Sequence, residues 1–215
     1  MIQQLRSRES DLIRFDQFRV LVADGDKADL IDGVIYMASP DSRLNNSLGF
    51  FLAELIDGFD AAKEIGGFTF ISRFACRISD LRSPEPDVGY VRPERADDVH
   101  ELYMEGGPDI AVEIVARESR KRDYGEKLEL YQEAGVEEYW IVDPLQQRVQ
   151  FLRLIEGRYE LAPLEDNRIY RSGVIPGFWL DVNWLLARPV PRAYRCLQQI
   201  LAAKPKAKSK SKRKR

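Results

Sequence analysis

Residues 107–144 read GPDIAVEIVARESRKRDYGEKLELYQEAGVEEYWIVDP. The run PDIAVEIVA, 108–116, is nearly continuously apolar and rich in β-branched residues, the pattern of a strand covered on both faces. Residues 119–134 have helical spacing and end before Gly135, a residue that tolerates the left-handed backbone on which helices often close. Residues 138–143, EYWIVD, make a second apolar strand, stopped by Pro144. Strand, helix, strand predicts two strands of one sheet joined by a right-handed crossover, and so an α/β fold.

Working outward, residues 12–23 predict a short helix. ADLIDGVIYMA, 28–38, predicts two strands around Asp32-Gly33, a strong short-hairpin signal. Leu44, Leu48, Phe51, Leu52, Leu55, Ile56 and Phe59 recur at helical spacing over 41–63, with Asp41 or Ser42 as N-cap after Pro40. Strands are expected at 68–72, 75–79 and 87–91, then a charged loop over 93–108 with one helical turn at most. Residues 148–154 and 158–162 predict a hairpin around Glu156-Gly157, and 192–203 a last helix. Neither an internal repeat nor an interior linker interrupts the pattern. The expectation is one domain over 1–200, a central mixed β-sheet flanked by helices with an N-terminal β-hairpin extension, and a disordered basic tail over 201–215.

The chain has 215 residues, with 33 Lys+Arg against 35 Asp+Glu, a net charge of −2. That balance hides an asymmetry. Residues 204–215 hold eight basic residues and no acid, so the remainder carries 25 basic residues against 35 acidic ones, a net −10. At 44% hydrophobic the body can build a core. No run of about 18 apolar residues predicts a membrane span. The N-terminus lacks the apolar stretch of a secretion signal, so a cytoplasmic protein without membrane contact is expected. Cys76 and Cys196 are too few for a disulfide scaffold and, with His100 as the lone histidine, cannot make a four-ligand structural zinc site. A single histidine also argues against Ser-His-Asp or Cys-His catalysis. Carboxylates and lysines remain.

Three of these stand out. Glu113 interrupts the apolar strand, where a carboxylate is costly unless paired or metal-bound; an edge strand or a solvated strand end is the alternative. On a wheel of about 100° per residue, Lys127 falls within the arc of Tyr124, Leu128, Tyr131 and Ala134, away from Glu126, Glu129 and Glu133. Its ammonium either snorkels to solvent or reaches the carboxylate on the preceding strand. Asp87 begins a strand in Pro86-Asp87-Val88-Gly89-Tyr90-Val91. Two carboxylates suit Mg²⁺, a hard cation, and a lysine beside them can position water and offset charge on a phosphate. That set allows phosphodiester hydrolysis without histidine. Asp109 shares a face with Glu113 but stands roughly 13 Å away along the strand, too far to share one metal.

The segments 28–40, 84–91 and 107–144 resemble the Uma2 (DUF820-like) family of the PD-(D/E)XK nuclease superfamily, which has a restriction-endonuclease-like fold. The resemblance frames residues 15–185. It implies a metal-dependent endonuclease acting on DNA, with Mg²⁺ or Mn²⁺ as cofactor. Asp87 matches the Asp of the first half-motif and Glu113 the acid of the second. The superfamily's usual lysine position holds Val115, and the lysine matches Lys127 on the following helix. Asp87, Glu113 and Lys127 are thus the implied catalytic residues, with Asp87, Glu113 and Asp29 as implied metal ligands. Asp29 stands where relatives usually carry Glu, and Asn45 near a position where many carry His.

Arg117, Arg120, Lys121 and Arg122 lie between the Glu113 strand and the Lys127 helix, where they can line a phosphate path; a solvated helix start is the plainer reading. The tail, including Lys204, Lys206, Lys208, Lys210 and Lys212, can add salt-dependent phosphate contacts that the acidic body lacks. Two rival readings keep the fold: an inactive nucleic-acid-binding protein, and a regulatory protein-interaction module, for instance a homodimer through a sheet edge.

Overall fold

The computed structural model describes residues 12–22 and 26–203; of the expected tail, residues 204–215 lie outside them, while 201 and 202 belong to the last helix. A short helix α1 (Phe15–Leu21) precedes the hairpin of β1 (Ala28–Ile31) and β2 (Val34–Met37), whose turn has positive φ at both Asp32 and Gly33. The long helix α2 (Arg43–Lys63) is capped by the Ser42 side chain, which accepts from the Asn45 N–H at 3.0 Å. Next come β3 (Phe68–Ile71), β4 (Ala75–Arg77), β5 (Val88–Val91), a 3₁₀ segment over Pro93–Asp98, β6 (Tyr103–Glu105) and β7 (Ile110–Ile114). Two short helices, α3 (Arg120–Tyr124) and α4 (Glu126–Glu133), lead to β8 (Glu138–Asp143). The described residues continue through β9 (Arg148–Ile155), β10 (Arg158–Leu161), β11 (Ile169–Arg171), β12 (Trp179–Asp181), α5 (Val182–Leu186) and α6 (Ala193–Ala202).

The main sheet has six strands in the order β10-β9-β8-β7-β5-β3. Only β7 and β8 run parallel, and the α3–α4 crossover makes that possible. Alternation along β7 divides its side chains between two cores. Ile110, Val112 and Ile114 join Trp140 and Val142 beneath α2 and α6. Ala111 and Val115 face the other way, with Tyr139 and Ile141, against Leu130 and Tyr131 of α4. Glu113 belongs to that second face by the same alternation. The expected mixed sheet, flanking helices and hairpin extension are all present.

Local expectations need correction. The helix expected over 119–134 is broken at Gly125, whose backbone sits at φ −127°, ψ −94°. A Cβ there would lie 2.9 Å from the Lys121 carbonyl, so only glycine fits the kink without displacement. The expected companion Tyr131 does share a buried face with Lys127, joined by Leu130, while the kink sets Tyr124 on the separate helix α3. The expected 93–108 loop contains β6, which pairs with β4 in a separate small sheet. Strands β11 and β12, three residues each, are too short to show a period.

Gly89 of β5 admits no side chain, because an added Cβ would fall 2.1 Å from the Phe70 ring. Gly89→Ala is expected to lower unfolding stability by about 1–3 kcal/mol through overpacking, read from urea denaturation. A change within about 0.5 kcal/mol would mean the ring relocates freely.

Candidate active site

The site forms where the hairpin meets the central strands. Leu30 and Ser83 exchange backbone hydrogen bonds at 3.0 and 2.8 Å, fastening β1 to the segment before β5. Two side-chain contacts tighten the join: the Glu85 N–H donates to Asp29 Oδ1 at 2.9 Å, and the Ala28 N–H donates to Glu85 Oε2 at 3.2 Å. Asp29 thereby stands over the β7 face that carries Glu113.

Lys127 reaches both. Its Nζ lies 2.9 Å from Asp29 Oδ2 and 2.8 Å from Glu113 Oε1, with its side chain 2% exposed. The Tyr131 hydroxyl also donates to Glu113 Oε1, at 2.9 Å. Burial works against the Lys127 charge, but Asp29 and then Glu113 outweigh it and hold the ammonium protonated well above the ordinary lysine range. Burial pushes the Glu113 carboxyl up to about 8, with Lys127 pulling against it and Asp87 adding to the rise. Lys127 is thus held firmly as a cation, while Glu113 takes up a proton readily.

Asp87 lies just before β5, next to the Val88–Val112 pair. It forms an ion pair with Lys27, and its Oδ2 accepts the Ile114 N–H at 2.6 Å. Burial raises its carboxyl, yet the Lys27 ammonium and the Ile114 N–H prevail and keep it below the usual carboxylate range. Asp29, Asp87, Glu113 and Lys127 all line one cavity of about 40 Å³. The four residues singled out in the sequence are therefore brought together.

The basic cluster divides. Arg122 lines the small cavity and rests over the Tyr36 ring, 5.0 Å from its centroid. Arg120 turns toward Asp143, at 2.9 Å. Arg117 and Lys121 are exposed. Asn45 spends its side chain on the Ile114 carbonyl, at 3.2 Å, and anchors the start of α2 to β7.

Sequence reading missed Lys27, Glu85, Tyr131 and Asp123. Lys27 and Asp29 are two apart on an extended segment and so share a face, the one available clue. Glu85 sits two residues before Asp87, and burial pushes its carboxyl up to about 7. Asp123 is 1% exposed, and its Oδ1 has no partner among the described residues.

Divalent-cation fit follows from the donor set. The cavity lining carries five acids (Asp29, Asp41, Asp87, Glu113, Glu118) against three bases (Lys27, Arg122, Lys127), a net −2 when all are ionised. Among the described residues no three His, Cys, Asp or Glu side chains are grouped closely enough to hold a metal by themselves. Mg²⁺ does not need three, since it commonly takes one or two carboxylates and completes its shell with water and substrate phosphate. Asp87 and Glu113 fit that pattern. Asp29 has both oxygens engaged, by the Glu85 N–H and by Lys127, and Asp87 likewise, by Lys27 and the Ile114 N–H, so a cation at Asp87 would take the place of the Lys27 ammonium.

A solved structure shares this fold. The crystal structure of a protein described as a "putative nuclease belonging to DUF820", from Anabaena variabilis ATCC 29413, superposes with a TM-score of 0.69 at 17% identity, covering 81% of this chain and 97% of that one. Residues 15–183 match the model of the family described as "Uma2: Putative restriction endonuclease", and the chain belongs to that family. None of the curated proteins matches it.

Removing the Lys127 ammonium strands two buried carboxylates. Lys127→Met is expected to cost about 3–5 kcal/mol of stability in metal-free protein. The double variant Lys127→Met/Asp29→Asn should recover part of that loss, and strict additivity of the two losses in a double-mutant cycle would show that the contact carries no coupling.

Proposed function

We propose that this protein is a Mg²⁺-dependent endonuclease hydrolysing phosphodiester bonds of DNA, of the PD-(D/E)XK type with the lysine on the helix after the acidic strand; Mn²⁺ would serve in place of Mg²⁺. Lys127 carries the reading. A charged lysine only 2% exposed, held between two carboxylates and lining one cavity with Asp87, is an arrangement that packing alone does not call for. Membership of the family described as "Putative restriction endonuclease" supports the reaction class.

Asp87 and Glu113 would hold the cation, which when bound polarises a phosphate and lowers the pKa of bound water. Each protein group then has a distinct task. Asp87 is kept ionised by Lys27 and the Ile114 N–H, so it meets a cation as a ready anion. Glu113 is oriented by Tyr131 and Lys127 acting on the same oxygen. Lys127 stays protonated and therefore donates: it orients water or a phosphate oxygen and offsets negative charge developing on the phosphate. Asp29 positions Lys127. Arg122 at the cavity, with exposed Arg117 and Lys121, would contact flanking phosphates, and the 204–215 tail would add salt-dependent attraction. No histidine takes part.

Nicking of supercoiled plasmid in Mg²⁺ or Mn²⁺ tests this. Asp87→Asn, Glu113→Gln and Lys127→Met should each lower the rate by about 10²-fold or more, with thermal melts confirming that each variant is folded at the assay temperature. Chelation by EDTA should abolish cleavage. Equal nicking by wild type and all three variants would place the chemistry elsewhere. A wild type that binds DNA but never cuts it would favour the inactive-binder reading.

A further inference from the structure

Two cavities flank one stripe of α2. One, about 550 Å³, is lined by Lys27, Asp87 and Asn45 and belongs to the candidate active site. The other, about 860 Å³, lies between α2 and the segment 188–192. Asn46 and Phe50 line both, so the two adjoin across this stripe of α2 as two parts of one trough-shaped surface, the first part reaching Asp87 and the second carrying the arginines.

The trough has a definite chemistry. Arg43, Asn46, Phe50 and Glu54 follow one another at three- or four-residue steps along one face of α2. Arg188 and Arg192 stand on the facing wall, where Pro189 and Pro191 restrict the backbone between them. All three arginines are exposed, and none is ion-paired with an acidic side chain among the described residues. The Arg188 guanidinium is held in place by the Leu185 and Ala187 carbonyls, at 3.1 and 2.7 Å. Glu54 is the lone acid of this wall, leaving three positive charges against one on a body that is otherwise strongly acidic. Phe50 is 67% exposed in the middle, and its ring stacks on no other aromatic ring among the described residues.

Exposed aromatic and unpaired arginines in a trough leading to a phosphate-cleaving site suit a polyanion with flat, apolar bases. We propose that this trough binds single-stranded nucleic acid, with Phe50 as the stacking platform for one base and Arg43, Arg188 and Arg192 contacting its phosphates. The substrate class rests on the nuclease reading above. A single strand is specified because a duplex keeps its base faces stacked on each other, leaving none for Phe50.

The test is fluorescence anisotropy of the full chain in EDTA, where cleavage is silent, using labelled oligothymidylate and a labelled DNA hairpin duplex across a salt series. The Arg43→Ala/Arg188→Ala/Arg192→Ala variant should reduce the slope of log affinity against log salt by about 2, at roughly 0.7 per phosphate contact for single strands. Phe50→Ala should weaken oligothymidylate binding about 5- to 100-fold with the slope unchanged, and Phe50→Tyr should restore it. These side chains are exposed, so circular dichroism should show the variants folded. Wild-type affinity and slope in the variants would overturn the proposal, as would absence of wild-type binding at low salt, or an equal loss on the duplex with Phe50→Ala. Plasmid nicking that persists while the trough variants bind normally would defeat the trough and leave the nuclease reading standing. Trough-dependent binding by a protein that never nicks would do the reverse.

Discussion

The buried charge of Lys127 is the constraint on which the remaining architecture turns. An ammonium 2% exposed cannot be left alone, and the fold supplies it with partners from two separate elements, Asp29 of β1 and Glu113 of β7. That requirement fixes where the hairpin docks. The Leu30–Ser83 backbone bonds and the Glu85–Asp29 and Ala28–Glu85 contacts hold β1 against the entrance to β5. The same docking carries Lys27 to Asp87. Two lysines and three carboxylates are thus interlocked, and disturbing one charge exposes the others to an unfavourable interior.

The sheet provides the other half of the geometry. Parallel β7 and β8 are covered on both faces, so a polar side chain on β7 must find its partner within the protein. Alternation points Glu113 toward α4, and the kink at Gly125 starts α4 so that Lys127 and Tyr131 look back at it together. Acidic lining outweighs basic lining by two charges in the small cavity, whereas the arginine trough beyond Phe50 is positive. A cation at the first and a polyanion in the second are complementary demands within one surface.

Much of this was legible in the residues. The apolar run with one Glu gave away β7, because so few residues can sit mid-strand uncompensated. Asp32-Gly33 marked the hairpin through backbone conformations that those residues tolerate. Lys127 was visible as a cation out of place on a helix beside Tyr131, although the continuous wheel missed Leu130 and added Tyr124 from beyond the break, since a single glycine kink is not a periodic signal. Lys27 was invisible for a different reason. Its partner Asp87 is sixty positions away, and only hairpin docking brings the two together. The arginine trough is likewise assembled from positions 43 and 188–192, which nothing local in the chain connects.

The proposed chemistry requires Asp87 and Glu113 to share one cation beside Lys127. A crystal grown in Mn²⁺ and measured for anomalous scattering tests this most directly. The predicted result is one peak within coordination distance, about 2.0–2.6 Å, of carboxylate oxygens from both residues, with Lys127 still paired to Asp29. A map with no peak there, while both lysines keep the carboxylates as ion pairs, would contradict it.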